Sequence, residues 1–175
     1  MNTNERLAEL QRVFDASFAL PPTPRDDDLI DLLAVTADAD SLAVPLAAMA
    51  GLAADRSVTP LPGSPPDLLG VAGLRGHLVP VYDLARVLDP RRASRTNGSA
   101  TVRWLVLAAG TPSFAVAVDR VDGHLRVPRD AIAEPAAGAH TATGPVVHTA
   151  DGPRPVIDLT AVRHRITARV PAEET

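Results

Sequence analysis

The sequence predicts an all-β domain made of two similar halves, carried behind a short amphipathic helix. From Leu29 onward the apolar residues come in short runs of four to eight, divided by Gly, Pro, Asp and Ser clusters. That texture belongs to many short antiparallel strands rather than to long helices. The region also repeats. Slid by about 72 residues, LAVTADADSLAVPLAAM (33–49) falls over LVLAAGTPSFAVAVDRV (105–121), pairing Leu33 with Leu105, Leu42 with Phe114, Val44 with Val116 and Leu46 with Val118. A shift of 75 sets PVYDL (80–84) over PVIDL (155–159). Each copy, at about 70 residues, would bury too little surface alone, so two similar β-subdomains are expected to share a core.

In order along the chain, Leu7, Leu10, Phe14 and Phe18 fall at helical spacing within residues 3–18, with Thr3 or Asn4 available as the N-cap. The stretch ALPPTPRDDD then ends that helix with three prolines and an acidic run, and reads as an extended tether. Strands are expected at 30–36, 41–46, 57–61, 69–74, 77–82, 103–109, 113–118, 124–127, 144–148 and 154–158. Short helices are expected after Pro45, Tyr82 and Val156, where alanine and leucine take helical spacing, and residues 90–101 read as a polar loop. This divides the chain into a front helix and tether (1–28), a β domain (29–170) and a tail (171–175).

Composition narrows the chemistry. The net charge is −4 and the 17 basic residues, all arginines, are scattered, so there is no concentrated basic face for a phosphate backbone and no nucleic-acid partner is expected. The absence of cysteine excludes thiol chemistry, disulfides and zinc–thiolate sites. The front ten residues carry charges and no apolar run, and Ser41–Ala54 is too short and too interrupted to span a bilayer, so a cytoplasmic protein without membrane insertion is expected.

No phosphate loop, Gly-x-Ser-x-Gly elbow or His-Glu-x-x-His helix occurs, and the five histidines never fall at ligand spacing. Neither catalytic residues, metal nor cofactor is therefore expected. His77 and His124, each beside a glycine, read as exposed turn residues. Asp83 and Asp158 take matching places after an apolar strand, where an aspartate usually caps the following helix, and the repeat predicts similar environments for the two. An acid–base pair would need two differently tuned carboxyls in a cleft, and an enzyme would need Asp83, Asp158 and His77 to converge in a pocket. Met49 and Leu52, one helical turn apart in AAMAGLAA, form either a core-facing stripe or a docking face.

The stretch SVTPLPGSPPDLLGVAGLRGHLVPVYDLARVL (57–88) resembles the signature of CheW-like domains: Gly-Val-x-Asn-Leu-Arg-Gly, then an apolar strand with Pro-Val-x-Asp-Leu and a short helix. Gly70, Val71, Leu74, Arg75, Gly76, Pro80, Val81, Asp83 and Leu84 match, and Gly73 replaces the asparagine. LLAVTADADSLAVPLAAMAGL (32–52), FAVAVDRV (114–121) and GPRPVIDLTAV (152–162) extend the resemblance in the right order over about 29 to 168. It implies two intertwined five-stranded SH3-like barrels and a non-catalytic adaptor that couples chemoreceptors to a CheA-type histidine kinase through the kinase's regulatory domain. By the same resemblance Arg75, with Gly70, Gly73 and Gly76 around it, falls in a turn associated with partner contacts, and Met49 and Leu52 fall where the family's Val-x-x-Ile segment contributes to partner surfaces.

Gly73 and Gly76 suit a tight hairpin, which leaves two placements for Arg75. Its guanidinium either points outward to meet a carboxylate or carbonyls on a partner helix, or bridges the two subdomains through main-chain carbonyls. Gly73 is expected to keep the left-handed conformation of the asparagine without its hydrogen bond, loosening the turn. Gly51 stands where the family often has an acidic residue, so the kinase and receptor could belong to flagellar chemotaxis or to another chemosensory pathway. The competing readings are a divergent module that regulates a different kinase, or one that binds a small ligand between its subdomains.

Overall fold

The computed structural model describes residues 28–92, 101–133 and 143–168. The expected front helix and tail lie outside them. The elements are β1 (Leu29–Ala37), β2 (Asp40–Pro45), a 3-10 turn (Leu46–Ala48), β3 (Met49–Ser57), β4 (Leu68–Leu74), β5 (His77–Asp83) and α1 (Leu84–Leu88). They continue with β6 (Thr101–Ala108), β7 (Ala115–Val118), β8 (Arg120–Pro128), a 3-10 turn (Arg129–Ala131), β9 (Ile132–Ala133), β10 (Thr143–Thr149), β11 (Gly152–Ile157) and α2 (Leu159–Thr167).

Two sheets form, one in the order β8-β1-β2-β11-β10-β9 and one in the order β3-β6-β7-β5-β4. The repeat explains both orders. Under it β1, β2, β3, β4 and β5 correspond to β6, β7, β8, β10 and β11, and the parallel pairing of Val81 with Ala115 matches that of Val156 with Ala43. Each half gives its first hairpin to one sheet and its later strands to the other. The halves are therefore exchanged rather than side by side. The two-residue β9 beside Val146 has its counterpart in the isolated bridge between Thr59 and Val71, so each sheet is five strands and a stub.

Central strands buried on both faces generate three apolar clusters. In β7, Ala115 and Ala117 face the interior of the second sheet with Val58, Leu69, Leu74, Val79, Val81 and Leu105. Val116 and Val118 face the shared core with Val35, Leu42, Val44, Tyr82, Val106 and Ile157. The helices close that shared core with Leu84, Val87 and Leu88 from α1 and Leu159, Val162 and Ile166 from α2. The first sheet's own interior is smaller: Leu32, Ala43, Val147 and Val156. Strand alternation thus lets one strand serve two cores.

The helices expected after Tyr82 and Val156 form, each capped as anticipated. Asp83 accepts from the Ala85 N–H at 3.1 Å, and Asp158 accepts from those of Thr160 and Ala161 at 2.8 and 3.1 Å. Their environments are not alike, however. Asp83 is fully buried, whereas Asp158 is exposed. The helix expected after Pro45 shrinks to a single 3-10 turn, because the alanine-rich stretch from Met49 on pairs along β6 instead. Tertiary pairing overrides the local preference there. Of the strand expected at 57–61, Ser57 ends β3 and Thr59 makes an isolated bridge. His124 lies within β8 opposite Leu33, not in a turn, and is hydrogen-bonded to Asp31 at 2.7 Å.

Candidate functional site

The β4–β5 hairpin has a two-residue turn. Leu74 pairs with His77, and between them Arg75 and Gly76 both take positive φ, at 51° and 82°. Two left-handed residues in succession give the type I′ geometry that matches strand twist. Glycine enters that region freely, but an arginine there costs roughly 1–2 kcal/mol. Among the described residues the other non-glycine positions with positive φ are Asp38 and Asp55, a type that tolerates it better. Arg75 is held in a conformation its side chain does not favour.

From the turn the Arg75 side chain runs back to β3. A Cβ placed on Gly51 would lie 2.8 Å from Nη2 of Arg75, so the guanidinium rests where any other residue at 51 would put its side chain. It does not bridge the subdomains through main-chain carbonyls, as one reading expected. Among the described residues it has no hydrogen-bond or carboxylate partner, and it is exposed. A charged fork is thus brought against a glycine, Nη2 first, with its donors unengaged by the described residues.

The remaining candidates separate by role. Gly76 is the second turn residue, with open space around it. Gly73 corrects the expectation of a left-handed residue: it is an ordinary strand position opposite Leu78, without positive φ and with nothing near its missing Cβ. Gly70 is not in the Arg75 turn. It is buried within β4 at φ 141°, where a Cβ would meet the Thr59 carbonyl oxygen at 2.1 Å, and it lets the Thr59–Pro60 chain cross against the strand. That chain is tied down by hydrogen bonds of 2.8 and 2.9 Å between Thr59 and Val71.

Met49 and Leu52 do not form a helical stripe, since both stand on β3. Met49 is half-buried and packs against the shared core, while Leu52, opposite Val106 beyond the bulge at Ala50, is exposed. The structure adds Leu78, 78% exposed, which the sequence reading passed over. Its cross-strand neighbour is Gly73, which offers no side chain to cover it. The Leu-opposite-Gly register of the hairpin is the signal that would have found it. Arg75, with its guanidinium near Gly51, and the exposed Leu78 give the hairpin end of the second sheet a cationic and an apolar group.

The residues considered for acid–base chemistry are not brought together. One cavity contains Asp158 along with Pro45, Ala48, Pro145 and Leu159, but neither Asp83 nor His77. A second is lined by Pro65, Pro66, Asp67, Arg86 and Pro90. Burial, followed by the nearby Asp67 carboxylate, pushes the Tyr82 hydroxyl above its ordinary range, keeping it neutral beside Phe114. Among the described residues no helix is long and apolar enough to cross a membrane.

The comparisons agree with this architecture. The structure is similar to that of the scaffolding protein TtCheW from Thermoanaerobacter tengcongensis, with a TM-score of 0.62 at 18% identity over 74% of this chain and 88% of that one. No curated protein matches in sequence. The sequence model of the CheW-like domain covers residues 31–165, both halves of the repeat and the turn that carries Arg75. The chain therefore belongs to the CheW-like domain family.

Proposed function

We propose that this chain is a non-catalytic cytoplasmic adaptor that couples chemoreceptors to a CheA-type histidine kinase, and that the Arg75 hairpin is one of its contact surfaces. The single observation that carries the reading is the state of Arg75: a left-handed arginine whose guanidinium lies over Gly51 with no partner among the described residues. A conformation that costs stability and gains no internal hydrogen bond is explained if the side chain is kept for an external one. A guanidinium fork flanked by an uncovered leucine suits a partner that brings a carboxylate or helix-end carbonyls together with an apolar side chain. Each such contact would be modest, and assembly into arrays would supply avidity.

The test is a calorimetric titration of the protein against the regulatory domain of a CheA-type kinase, and separately against a receptor-tip fragment, with Arg75→Glu and Leu78→Asp alongside. Micromolar binding to one of the two, weakened about tenfold or more by both substitutions while each variant stays folded, is the expected result. Undiminished binding of both variants to both partners would remove the hairpin from the contact. Met49→Asp is unsuitable as a surface probe, because Met49 packs on the shared core and its substitution would perturb folding. Leu52→Asp serves that purpose.

A further inference from the structure

A cavity of about 330 Å³ lies at the other end of β5 from the Arg75 turn, walled by Pro65, Pro66 and Asp67 ahead of β4, by Arg86 of α1 and by Pro90 after it. We propose that this cavity binds a free α-amino acid, with the carboxylate on the guanidinium of Arg86, the ammonium beside Asp67 and an apolar side chain against the proline rings. The proposal is independent of the adaptor assignment and of the Arg75 surface.

Three observations support it. The first is an unsatisfied donor. The Nε–H of Arg86 is buried without an acceptor, and the side chain makes no hydrogen bond or ion pair among the described residues. A buried donor left unmet destabilises the fold, so an acceptor brought into the adjoining cavity recovers what the chain alone loses. Arg163 supplies the contrast. Its Nε is also buried without a partner, but its Nη2 donates to the Ala109 carbonyl and its guanidinium carbon sits 5.4 Å from the centre of the Phe114 ring. That arginine is committed within the fold, and Arg86 is not.

The second is charge. Asp67 lines the same cavity and is 6% exposed. Its negative charge reaches Tyr82, whose hydroxyl is pushed up first by burial and then by this carboxylate. A lone anion on Arg86 would be opposed by Asp67, and a lone cation beside Asp67 by Arg86. A zwitterion meets both signs, and its carboxylate can take two parallel N–H···O bonds from the guanidinium fork. The third is shape. Three of the five lining residues are prolines, which present ring surface and no N–H to be satisfied. The main chain around them is fixed: Leu68 N–H donates to the Pro65 carbonyl at 3.0 Å, Asp83 N–H to that of Asp67 at 2.8 Å and Asp89 N–H to that of Ala85 at 2.9 Å. The walls therefore stand in place before a ligand arrives. A volume of about 330 Å³ is at the small end of ligand pockets and suits one amino acid rather than a peptide.

The full-length protein tests this with L-phenylalanine and L-leucine as probes, followed in amide NMR spectra. At least one of them should give saturable shifts at Asp67, Leu68, Arg86 and Val87, with a Kd of about 1 mM or below. N-acetylation of that amino acid, which removes the ammonium, and amidation, which removes the carboxylate, should each weaken binding about tenfold or more. These derivatives read the two charges on the wild-type protein, so the result does not depend on how a variant folds. Arg86→Gln and Asp67→Asn should weaken binding of the free amino acid to the same degree. No saturable shift with either amino acid up to about 10 mM, or shifts that fall elsewhere on the domain, would overturn the proposal. Equal binding of the N-acetyl form would also overturn it, by leaving a site for any carboxylate, and equal binding of the amide would remove Arg86 from the contact.

Discussion

Val79 and Arg154 hold the same place in the two halves of the repeat, the third residue of β5 and of β11, yet one is an apolar core residue and the other a buried arginine. The difference extends to their neighbours. Where β3 meets β6, the residue bulged out of register is Ala50; where β8 meets β1, it is Asp122. Asp122 accepts hydrogen bonds from Arg154 at 2.9 Å, from Thr36 at 2.9 Å and from Arg120. Arg154 also donates to the Val35 carbonyl at 3.4 Å. The sheet with the smaller apolar interior is thus the one that carries a charge network. After each bulge comes a glycine, but the Arg75 guanidinium lies over Gly51 while nothing lies over Gly123. The turn equivalent to Arg75–Gly76 is Ala150–Asp151, and neither of those residues has positive φ.

The comparison separates what the fold requires from what it does not. Both halves need the hairpin, the bulged crossing strand and the aspartate-capped helix. Only one carries a left-handed arginine, and no hydrogen bond or ion pair among the described residues accounts for it.

The largest effect should come from the charge network. Arg154→Ala leaves the Asp122 carboxylate without its buried partner and should cost about 3 kcal/mol or more in urea unfolding. Making the halves alike with Asp122→Ala/Arg154→Val, the pair already present as Ala50 and Val79, should recover most of that loss. A double variant as unstable as Arg154→Ala would show that the network does more than fill space. Next come the caps. Asp83→Ala, at the buried cap, should cost about 2 kcal/mol, and Asp158→Ala, at the exposed one, about 0.5 kcal/mol. Equal costs would erase the distinction drawn from their burial.

Acidification gives a smaller effect with a definite sign. Burial alone would raise the Asp122 carboxyl, but the hydrogen bonds from Arg120, Arg154 and Thr36 outweigh it and hold the group below its ordinary range. The folded value lies below the unfolded one, near 3.9, so this stabilisation is complete above about pH 4 and is lost as pH falls through the folded value. Asp122→Asn should flatten that acid limb in pH-dependent unfolding curves. The smallest change in stability is expected for Gly51→Asp. Its carboxylate would meet the flexible end of Arg75 and form a surface ion pair worth under about 1 kcal/mol. Its larger consequence should be functional, since Arg75 would then be engaged within the chain and partner binding should weaken.

Much of this architecture is legible in the sequence because it is written locally. The PVYDL and PVIDL motifs announce a strand, a cap and a helix twice over, and the hairpins carry their turn residues with them. The exchange of strands between halves is not legible, since a repeat reports that two segments are alike and not which sheet each joins. β3 escapes for a related reason: AAMAGLAA has helical texture, and only its pairing with Trp104, Leu105, Val106 and Leu107 makes it a strand. The site divides in the same way. The Arg75–Gly76 turn can be read from its own residues. Its approach to Gly51, 24 positions earlier, and the exposure of Leu78 opposite Gly73 depend on contacts made only in the folded chain.

The most direct test of the claim that Arg75 is kept for a partner at a cost to the fold is Arg75→Asn, with unfolding and partner binding measured on the same preparation. Asparagine followed by glycine is the preferred type I′ turn, so stability should rise by about 1 kcal/mol while binding to the kinase domain or the receptor tip falls about tenfold. Higher stability with unchanged binding to both would show that the strained arginine serves neither partner. Lower stability would show that its position over Gly51 holds the hairpin together, and the account of Arg75 as a side chain reserved for external contact would be wrong.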